Sequence, residues 1–327
     1  MSKIIVIAHR GASGERPEHT LESYRLAIEQ GADYIEPDLV MTRDGVLIAR
    51  HENEIGGTTD VAQHPEFASR RRTQTIDGES MTGWFTEDFT LSEIKSLRAR
   101  ERLPELRPQN RRFDGEFSVP TFDEILQLVM QANRENGVNR PVGVYPETKH
   151  PAHFAGLGLA QELAVLDTLR RYDYATAGSP VFIQSFDPAN LRQLRGMTRL
   201  PLVQLLEHEL GDLAGIAEYA DAIGIAKSLA TAEGVRAAHQ AGLEVHVWTF
   251  RAENEFLPPD LKHGADPAAH GDLDQEIRRF LERGINGFFA DFPAMAVRAR
   301  DAYISGAQPL HQPAAATSLP GNRVQGR

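Results

Sequence analysis

Cysteine is absent from this chain of 327 residues. Its absence excludes disulfide bridges, zinc–thiolate centres and cysteine nucleophiles. Long apolar runs are also missing: no stretch approaches the ~20 apolar residues that a membrane-spanning helix requires, so no stable membrane insertion is expected. Basic residues are outnumbered by acidic ones, and the net charge of -11 argues against a nucleic-acid-binding surface, which needs clustered lysine and arginine.

A targeting segment is not visible at the start of the chain. The apolar run at residues 4–7 is too short for the core of a signal peptide, and no cleavage site follows it. As written, the chain is therefore expected to be cytoplasmic, or periplasmic if a leader has been removed. The sequence has no distinctive interface stripe, and it is compatible with either a monomer or a homodimer.

The overall composition is ordinary for a soluble globular protein, with 41% hydrophobic and 25% charged residues. The length fits one large barrel-type domain or two ordinary domains, and the pattern of elements favours a single domain over residues 1–304. From residue 305 the chain is rich in alanine, proline, glutamine and glycine without an apolar period. This tail, 305–327, is predicted to be disordered.

Short apolar runs of strand length alternate with helical patterns along most of the chain. Nine runs are found, at residues 4–8, 34–40, 46–51, 142–149, 181–186, 202–206, 222–225, 244–250 and 287–291. The run at 46–51 follows only a tight turn, whereas a parallel neighbour needs a crossover of a dozen or more residues. The other eight runs predict a (β/α)8 TIM barrel, an α/β fold whose active site lies at the carboxyl ends of the strands.

The tight turn at residues 44–45 is Asp-Gly, which is typical of a two-residue β-hairpin. Counting back from such a turn places Asp38 opposite His51, and a bulge would shift this pairing by one residue. Glu36 and Asp38 are two residues apart, so their side chains share one face of the strand. The hairpin is therefore expected to bring His51 back beside both acids.

The segment at residues 52–117 has poor periodicity and is interpreted as an insertion that covers one mouth of the barrel. One helix is predicted over residues 91–100, after Thr90 as the N-cap. Basic runs at 70–72 and 98–112 are most simply solvated surface. The alternative is that one of these arginines reaches the substrate.

Glu36, Asp38 and Glu147 are expected at the ends of two strands. Ionised acids crowded at a barrel mouth need a cation, and a set of oxygen ligands suits Ca²⁺ or Mg²⁺. Any one of these acids alone would more simply pair with a lysine or arginine. Three of them beside two histidines favour a metal site.

His9 and His51 are the natural candidates for a general acid and a general base. A single histidine at a strand end is more often structural, but two that converge on an acidic pocket favour catalysis. Arg10 suits bidentate contact with a phosphate, and Lys149 supplies a point charge. Two histidines, a hard cation, an arginine and a lysine together indicate phosphoryl-transfer chemistry on a phosphodiester.

Four motifs, HRGASGERPEHT, EPDLVMTRDG, YPETK and the closing ADFP, resemble the glycerophosphodiester phosphodiesterase family. The match runs in order from residue 4 to about residue 299. The PEHT and QSFD motifs and the long segment after His51 are similar to the bacterial, periplasmic, calcium-dependent type. The resemblance implies a barrel that hydrolyses glycerophosphodiesters to glycerol 3-phosphate and an alcohol.

The resemblance also implies the roles of individual residues. It makes the two histidines the acid/base pair, the three acids the ligands of Ca²⁺, with Mg²⁺ as the alternative, and Arg10 and Lys149 the phosphate contacts. The sequence departs from the family at His51-Glu52, where His-Asp is usual, although the longer acid can still serve as a partner. Pro37 removes a ladder donor between two metal ligands, but the metal site is expected to survive.

Three further residues have two interpretations each. Phe186 and Trp248 are expected either to form a wall against the glycerol carbons or to pack in the upper layer of the barrel. Glu18 is expected to bind a glycerol hydroxyl or only to order its loop. Alternative functions are a phospholipase D-like activity on lysophospholipid or sphingomyelin, a non-catalytic barrel that binds glycerophosphodiesters, and a sugar-phosphate isomerase.

Overall fold

The computed structural model describes residues 4–136 and 141–306. Within these ranges the strands are β1 Ile5–His9, β2 Tyr34–Glu36, β3 Asp38–Met41, β4 Leu47–Ala49, β5 Arg72–Ile76, β6 Glu79–Gly83, β7 Gly143–Val144, β8 Glu147–Thr148, β9 Ile183–Ser185, β10 Leu202–Leu206, β11 Ala222–Ala226, β12 Glu244–Phe250 and β13 Gly287–Ala290. The α-helices are α1 Leu21–Glu29, α2 Leu91–Ile94, α3 Phe122–Asn136, α4 Pro151–Gly156, α5 Gln161–Arg171, α6 Pro188–Met197, α7 Leu213–Ala217, α8 Ala232–Gln240, α9 Leu273–Leu281 and α10 Pro293–Ile304.

The large sheet has the order β4-β3-β8-β9-β10-β11-β12-β13-β1-β2-β7. Strands β2 and β3 are two parts of one strand interrupted at Pro37, and β7 and β8 are likewise interrupted at residues 145–146. The two ends of the sheet therefore meet, and eight strand positions curl into a TIM-barrel-like arrangement. The predicted α/β barrel architecture is confirmed, with helices between successive strands and buried apolar side chains along the strands.

The hairpin between β3 and β4 differs from the predicted register by one residue. Its loop has three residues, 43–45, and Gly45 at its end has a φ of 77°, which glycine adopts at little steric cost. The predicted two-residue turn is therefore wrong, and Asp38 lies opposite Arg50, whose backbone N–H donates to the Asp38 carbonyl at 3.0 Å. His51 follows one position further on, still beside the acids.

Side-chain caps mark the start of α1 and of α3. Thr20 accepts a hydrogen bond from the Ser23 backbone N–H at the start of α1. At the start of α3, Thr121 and Glu124 exchange the two hydrogen bonds of a capping box, at 2.7 Å and 3.1 Å. These caps fix the N-termini of the two helices.

Helix α2 is shorter than predicted. Thr90 caps it as expected, but it ends at Ile94 instead of continuing to residue 100. The following chain pairs with another part of the same segment, since the Arg98 N–H donates to Asp60 Oδ1 at 2.7 Å and a β-bridge joins Thr59 to Ala99. Tertiary pairing has overridden the local helical preference.

The rest of the segment at residues 52–117 consists of short 3₁₀ turns and the hairpin β5–β6. No helix in the described ranges is both long and apolar enough to cross a lipid bilayer. The predicted disordered tail lies outside the described residues from position 307 onward.

Candidate active site

A cavity of about 120 Å³ opens where the barrel strands end, and nine of the ten predicted site residues line it. They are His9, Arg10, Glu36, Asp38, His51, Glu147, Lys149, Phe186 and Trp248. Side chains from separate strands converge because the carboxyl ends of parallel strands meet at one mouth of a barrel. The tenth predicted residue, Glu18, lies outside the lining.

His9 is the last residue of β1, and its imidazole is held by a carboxylate. Its Nδ1 lies 2.6 Å from Oδ1 of Asp291, the residue that follows β13. The other ring nitrogen, Nε2, is left for chemistry in the cavity that His9 lines. The sequence prediction assigned no role to Asp291, although its place directly after an apolar strand is the signal that identified Glu36.

His51 lies beyond the end of β4 and has a similar arrangement. Its Nδ1 hydrogen-bonds to Oε1 of Glu52, so the longer acid does reach the ring. Its Nε2 lies 3.3 Å from Nζ of Lys149. Burial, and then the positive charge of Arg10, lower the pKa of His51 to about 3. The ring is therefore neutral at physiological pH in the absence of substrate.

The three acids form a compact buried cluster. One oxygen from each of Glu36, Asp38 and Glu147 lies within 4.8 Å of the other two. Glu36 accepts hydrogen bonds from the Arg10 backbone N–H at 2.8 Å and from Nε2 of Gln184 at 3.0 Å. The interruption of the strand at Pro37 has not separated the carboxylates, so the predicted grouping of the acids is confirmed.

The electrostatics of this cluster fit a cation. Burial, and then the charges of the two neighbouring acids, raise the pKa of Glu36 well above its usual range. Burial likewise raises the pKa of Glu147 to about 8, although Lys149 lies 2.9 Å from its Oε1. Oδ1 of Asp38 is buried without a hydrogen-bond partner. An all-oxygen set with surplus negative charge and an unsatisfied carboxylate oxygen matches a hard divalent cation.

His19 is a third histidine beside this cluster, and the sequence prediction overlooked it. Its Nε2 lies 2.9 Å from Oδ2 of Asp38, and its Nδ1 lies 2.7 Å from the Tyr24 hydroxyl. The ring is fully buried, so it orients Asp38 instead of lining the cavity. Its position inside the PEHT motif was the available signal.

Arg10 joins the cavity to a network of charges beneath it. Its Nη1 donates to Oε2 of Glu18 at 3.0 Å, and its Nε lies 3.4 Å from Oδ2 of Asp38. Glu18 is buried and also binds Arg102, which favours the interpretation that it orders its loop. The turn after Arg10 requires Gly11, at a φ of 88°, because a Cβ there would lie 2.4 Å from Oγ of Ser23.

Phe186 and Trp248 stand together at the mouth of the cavity. Their ring centroids are 6.0 Å apart in an edge-to-face arrangement, and Nε1 of Trp248 donates to the Gly224 carbonyl at 3.0 Å. Phe186 has 43% of its surface exposed. Such an exposed ring suits contact with an apolar part of a ligand, whereas Trp248 is also anchored to the barrel.

The burial of His9 has a consequence for acid stability. Burial, and then the charge of Arg10, lower the pKa of His9 from 6.5 to about 4. Since the folded pKa lies below the unfolded one, the stability due to the neutral ring is fully present above about pH 6.5 and is lost as the pH falls through about 4. We expect chelator-treated wild-type protein to lose more free energy of unfolding between about pH 7 and about pH 4.5 than His9→Gln, in urea titrations. Equal losses in the two proteins would contradict this reading.

Comparisons with known proteins agree with this geometry. The model of the glycerophosphoryl diester phosphodiesterase family matches residues 9–295. Glycerophosphodiester phosphodiesterase GDPD6 of Arabidopsis thaliana is 34% identical, with 88% of this chain and 83% of the relative covered. A glycerophosphodiester phosphodiesterase of Haemophilus influenzae is 31% identical, with 90% and 88% covered. The crystal structure of a protein from Silicibacter pomeroyi, named a putative glycerophosphoryl diester phosphodiesterase, superposes with a TM-score of 0.69 at 24% identity, covering 94% of this chain and 95% of that one.

The family model and both relatives extend over nearly the whole described barrel. The protein is an enzyme of the phosphoric diester hydrolase class. More particularly, the chain belongs to the glycerophosphoryl diester phosphodiesterase family.

Proposed function

We propose that this enzyme hydrolyses glycerophosphodiesters to sn-glycerol 3-phosphate and an alcohol, by general acid/base catalysis with His9 and His51. The observation that carries the proposal is one cavity lined by both histidines, two basic side chains and the three clustered acids. Each histidine has its Nδ1 on a carboxylate, which leaves its Nε2 to exchange protons. The names of the two relatives, both glycerophosphodiester phosphodiesterases, support this substrate class.

Glu36, Asp38 and Glu147 are the residues that would hold a divalent cation, with Ca²⁺ proposed first and Mg²⁺ as the alternative. Bound there, such an ion supplies positive charge for a phosphate oxygen and relieves the repulsion among the acids. The close approach of their oxygens, within 4.8 Å, and the unsatisfied Oδ1 of Asp38 support this assignment. Gln184 and the Arg10 N–H fix the orientation of Glu36.

The proposed reaction breaks the bond from phosphorus to the oxygen of the leaving alcohol and forms one from the attacking oxygen to phosphorus. One histidine takes the proton of the attacking hydroxyl on its Nε2. The other must first be protonated on Nε2 once the anionic substrate is bound, and it then gives that proton to the departing alkoxide. Arg10 and Lys149 counter the negative charge that grows on the phosphoryl oxygens. The attacking oxygen belongs either to water or to a neighbouring hydroxyl of the substrate, and the second route forms a cyclic phosphate first.

Phe186 and Trp248 are proposed to contact the carbon atoms of the glycerol moiety. The exposed ring of Phe186 and the edge-to-face pair that it makes with Trp248 provide an apolar surface at the edge of an otherwise charged cavity. Apolar contacts of this kind orient a polar ligand whose charged end is bound elsewhere in the pocket.

The organisation of the chain is part of the proposal. Residues 1–304 are proposed to form one phosphodiesterase domain, in which residues 52–117 are an insertion over the mouth of the barrel. Contacts of two arginines of this segment with Glu18 and Asp291 support it. Membership of the bacterial, periplasmic, calcium-dependent type is also proposed, from the motifs and this long segment. Cellular location, periplasmic or cytoplasmic, stays a prediction for fractionation of the native host.

A substrate comparison tests the proposed function. Purified enzyme with Ca²⁺ is expected to release glycerol 3-phosphate from glycerophosphocholine at least about 10-fold faster than it cleaves lysophosphatidylcholine or sphingomyelin. Most of the side chains that line the cavity are charged or polar, which suits a small polar diester, whereas long acyl chains gain little from a charged site. Coupled assay of glycerol 3-phosphate and mass spectrometry of the lipids measure the rates. Faster cleavage of the lipids would favour a phospholipase D-like enzyme, and tight binding of glycerophosphocholine without turnover would favour a binding barrel.

A further inference from the structure

Two arginines of the segment at residues 52–117 reach the carboxylates that hold the histidines. Arg107 is buried, with 4% of its side chain exposed. Its Nη2 donates to Oδ2 of Asp291 at 2.5 Å, and its Nε donates to Oε1 of Glu253 at 2.6 Å. Since the other Asp291 oxygen lies on His9, a single carboxylate connects this arginine to the imidazole.

Arg102 makes the equivalent connection on the other side of the site. It donates two hydrogen bonds to Glu52, from Nη1 to Oε1 at 3.0 Å and from Nη2 to Oε2 at 2.7 Å. Oε1 of Glu52 is also the atom that bonds to the His51 ring. The same guanidinium donates to both oxygens of Glu18 at 2.7 Å, and Glu18 in turn holds Arg10.

We propose that Arg102 and Arg107 are positioning residues, each of which aims the carboxylate that orients one of the two proposed catalytic histidines. This inference rests on the proposed function of the histidines. It gives the segment at residues 52–117 a part in catalysis, because the barrel alone supplies the histidines but not the arginines behind them.

The geometry supports positioning more strongly than a purely structural ion pair. A carboxylate bound to a histidine by one oxygen can still swing about that contact, and a second fixed bond stops the movement. A guanidinium suits this task because its N–H groups form a rigid fork. Buried ion pairs are weak evidence for stability, because desolvation offsets their attraction. The same arginine–carboxylate–histidine chain occurs on both sides of one cavity. A shared role in orienting the two histidines explains this repetition.

Asp291, the carboxylate on His9, has a second basic partner in Arg251. Its Nε also lies 3.1 Å from Oδ2 of Asp291, so this carboxylate keeps one positive partner when Arg107 is lost. The expected effect of removing Arg107 is therefore smaller than that of removing Asp291 itself. Within the described ranges, the hydrogen bonds of the Glu52 carboxylate are made only with His51 and Arg102. The loss of Arg102 is therefore expected to have the larger effect.

Double-mutant cycles test the proposal. One cycle combines Arg107→Met with Asp291→Asn, and the other combines Arg102→Met with Glu52→Gln. Each substitution is made alone and in its pair, and Arg111→Met is the matched control. Arg111 lies in the same segment and is exposed. Each arginine variant is expected to lower kcat for glycerophosphocholine about 10- to 100-fold, as outer partners of catalytic groups do, with KM changed less than about threefold. In the double variants the arginine loss is expected to add less than about threefold to the loss from the carboxylate variant.

A histidine readout separates this proposal from the proposed function. In ¹⁵N-histidine-labelled protein, the ring of His9 is expected to carry its proton on Nδ1, with signals assigned by their loss in His9→Gln. Arg107→Met is expected to shift this tautomer toward a mixture, as is Arg102→Met for His51, while Arg111→Met leaves both unchanged. The measurement needs no turnover, so an inactive wild-type enzyme would refute the proposed function and leave the positioning test intact.

Additive losses in the cycles together with unchanged tautomers overturn the proposal, since they describe arginines that only stabilise the fold. Where a methionine variant does not fold, Arg107→Lys or Arg102→Lys replaces it, because lysine keeps the charge but cannot form the fork. A lysine variant with wild-type kcat and wild-type tautomers then overturns the proposal for that arginine.

Discussion

Replacing either His9 or His51 with alanine is expected to lower kcat for release of glycerol 3-phosphate from glycerophosphocholine by about 100- to 10,000-fold. Both rings line the cavity and have a carboxylate on Nδ1. Each variant therefore loses a proton carrier that the remaining residues do not replace. A coupled assay at saturating substrate measures kcat, and circular dichroism verifies that each variant is folded.

The control for the histidine variants is His208→Ala. The His208 side chain is 88% exposed, and its removal is expected to leave kcat unchanged. Near-normal turnover in either His9→Ala or His51→Ala would remove that histidine from the proposed acid/base pair. A loss confined to KM would mean that the ring only binds substrate.

Removing divalent cations is expected to have the second large effect. Chelator-treated enzyme is predicted to lose at least about 100-fold in kcat, and added Ca²⁺ to restore it, because the charge of the ion contributes several kcal/mol to the stabilisation of a phosphoryl transition state. Calorimetric titration of the chelated protein is expected to give one site per chain. Asp38→Asn or Glu147→Gln should weaken that binding, since each removes one of the negative charges of the cluster.

An exposed acid provides the control for the metal site. Glu209 is exposed, and Glu209→Gln is expected to bind Ca²⁺ as the wild type does. Full activity after chelation, with no binding of Ca²⁺ or Mg²⁺ by calorimetry, would contradict the metal assignment. In that case the raised pKa of Glu147 would leave this residue protonated at neutral pH, and the cluster would be held by shared protons instead.

Most of the barrel was predictable from the sequence because its strands are short apolar runs with a simple physical signature. The run at 202–206 is the clearest case, since the strand has those same bounds. The grouping of Glu36, Asp38 and Glu147 followed from a geometric rule, since parallel strands end at one mouth. Local patterns were enough wherever burial and periodicity alone determine the structure.

Two kinds of feature were not predictable: the exact register of a hairpin, and the end of a helix that depends on pairing with a distant part of the chain. The hairpin loop has three residues, of which only Gly45 takes a positive φ, whereas a two-residue type I′ turn needs a positive φ at both central residues. An Asp-Gly pair is compatible with either loop. The predicted helix over residues 91–100 ends early because Asp60, far away in sequence, accepts the Arg98 N–H. Neither fact has a local signature.

The outer partners of the site were missed for a similar reason. Asp291 lies 282 positions from His9 and 184 from Arg107, so spacing along the chain does not connect them. The basic stretch that contains Arg102 and Arg107 is, from the sequence, most simply solvated surface, with contact of one arginine with the substrate as the alternative. In the structure both side chains instead bind carboxylates beside the site. The surrounding arginines, such as the exposed Arg111, have the same local appearance.

Phosphorus NMR of one reaction tests the central claim most directly. Wild-type enzyme is incubated with glycerophosphocholine and Ca²⁺, and both the phosphorus product and free choline are quantified. The predicted result is sn-glycerol 3-phosphate and choline in equal amounts, with no product after chelation and none above background in His9→Ala. Formation of phosphocholine and glycerol, or no cleavage by folded, Ca²⁺-supplied enzyme, would contradict the claim that this site hydrolyses glycerophosphodiesters to glycerol 3-phosphate.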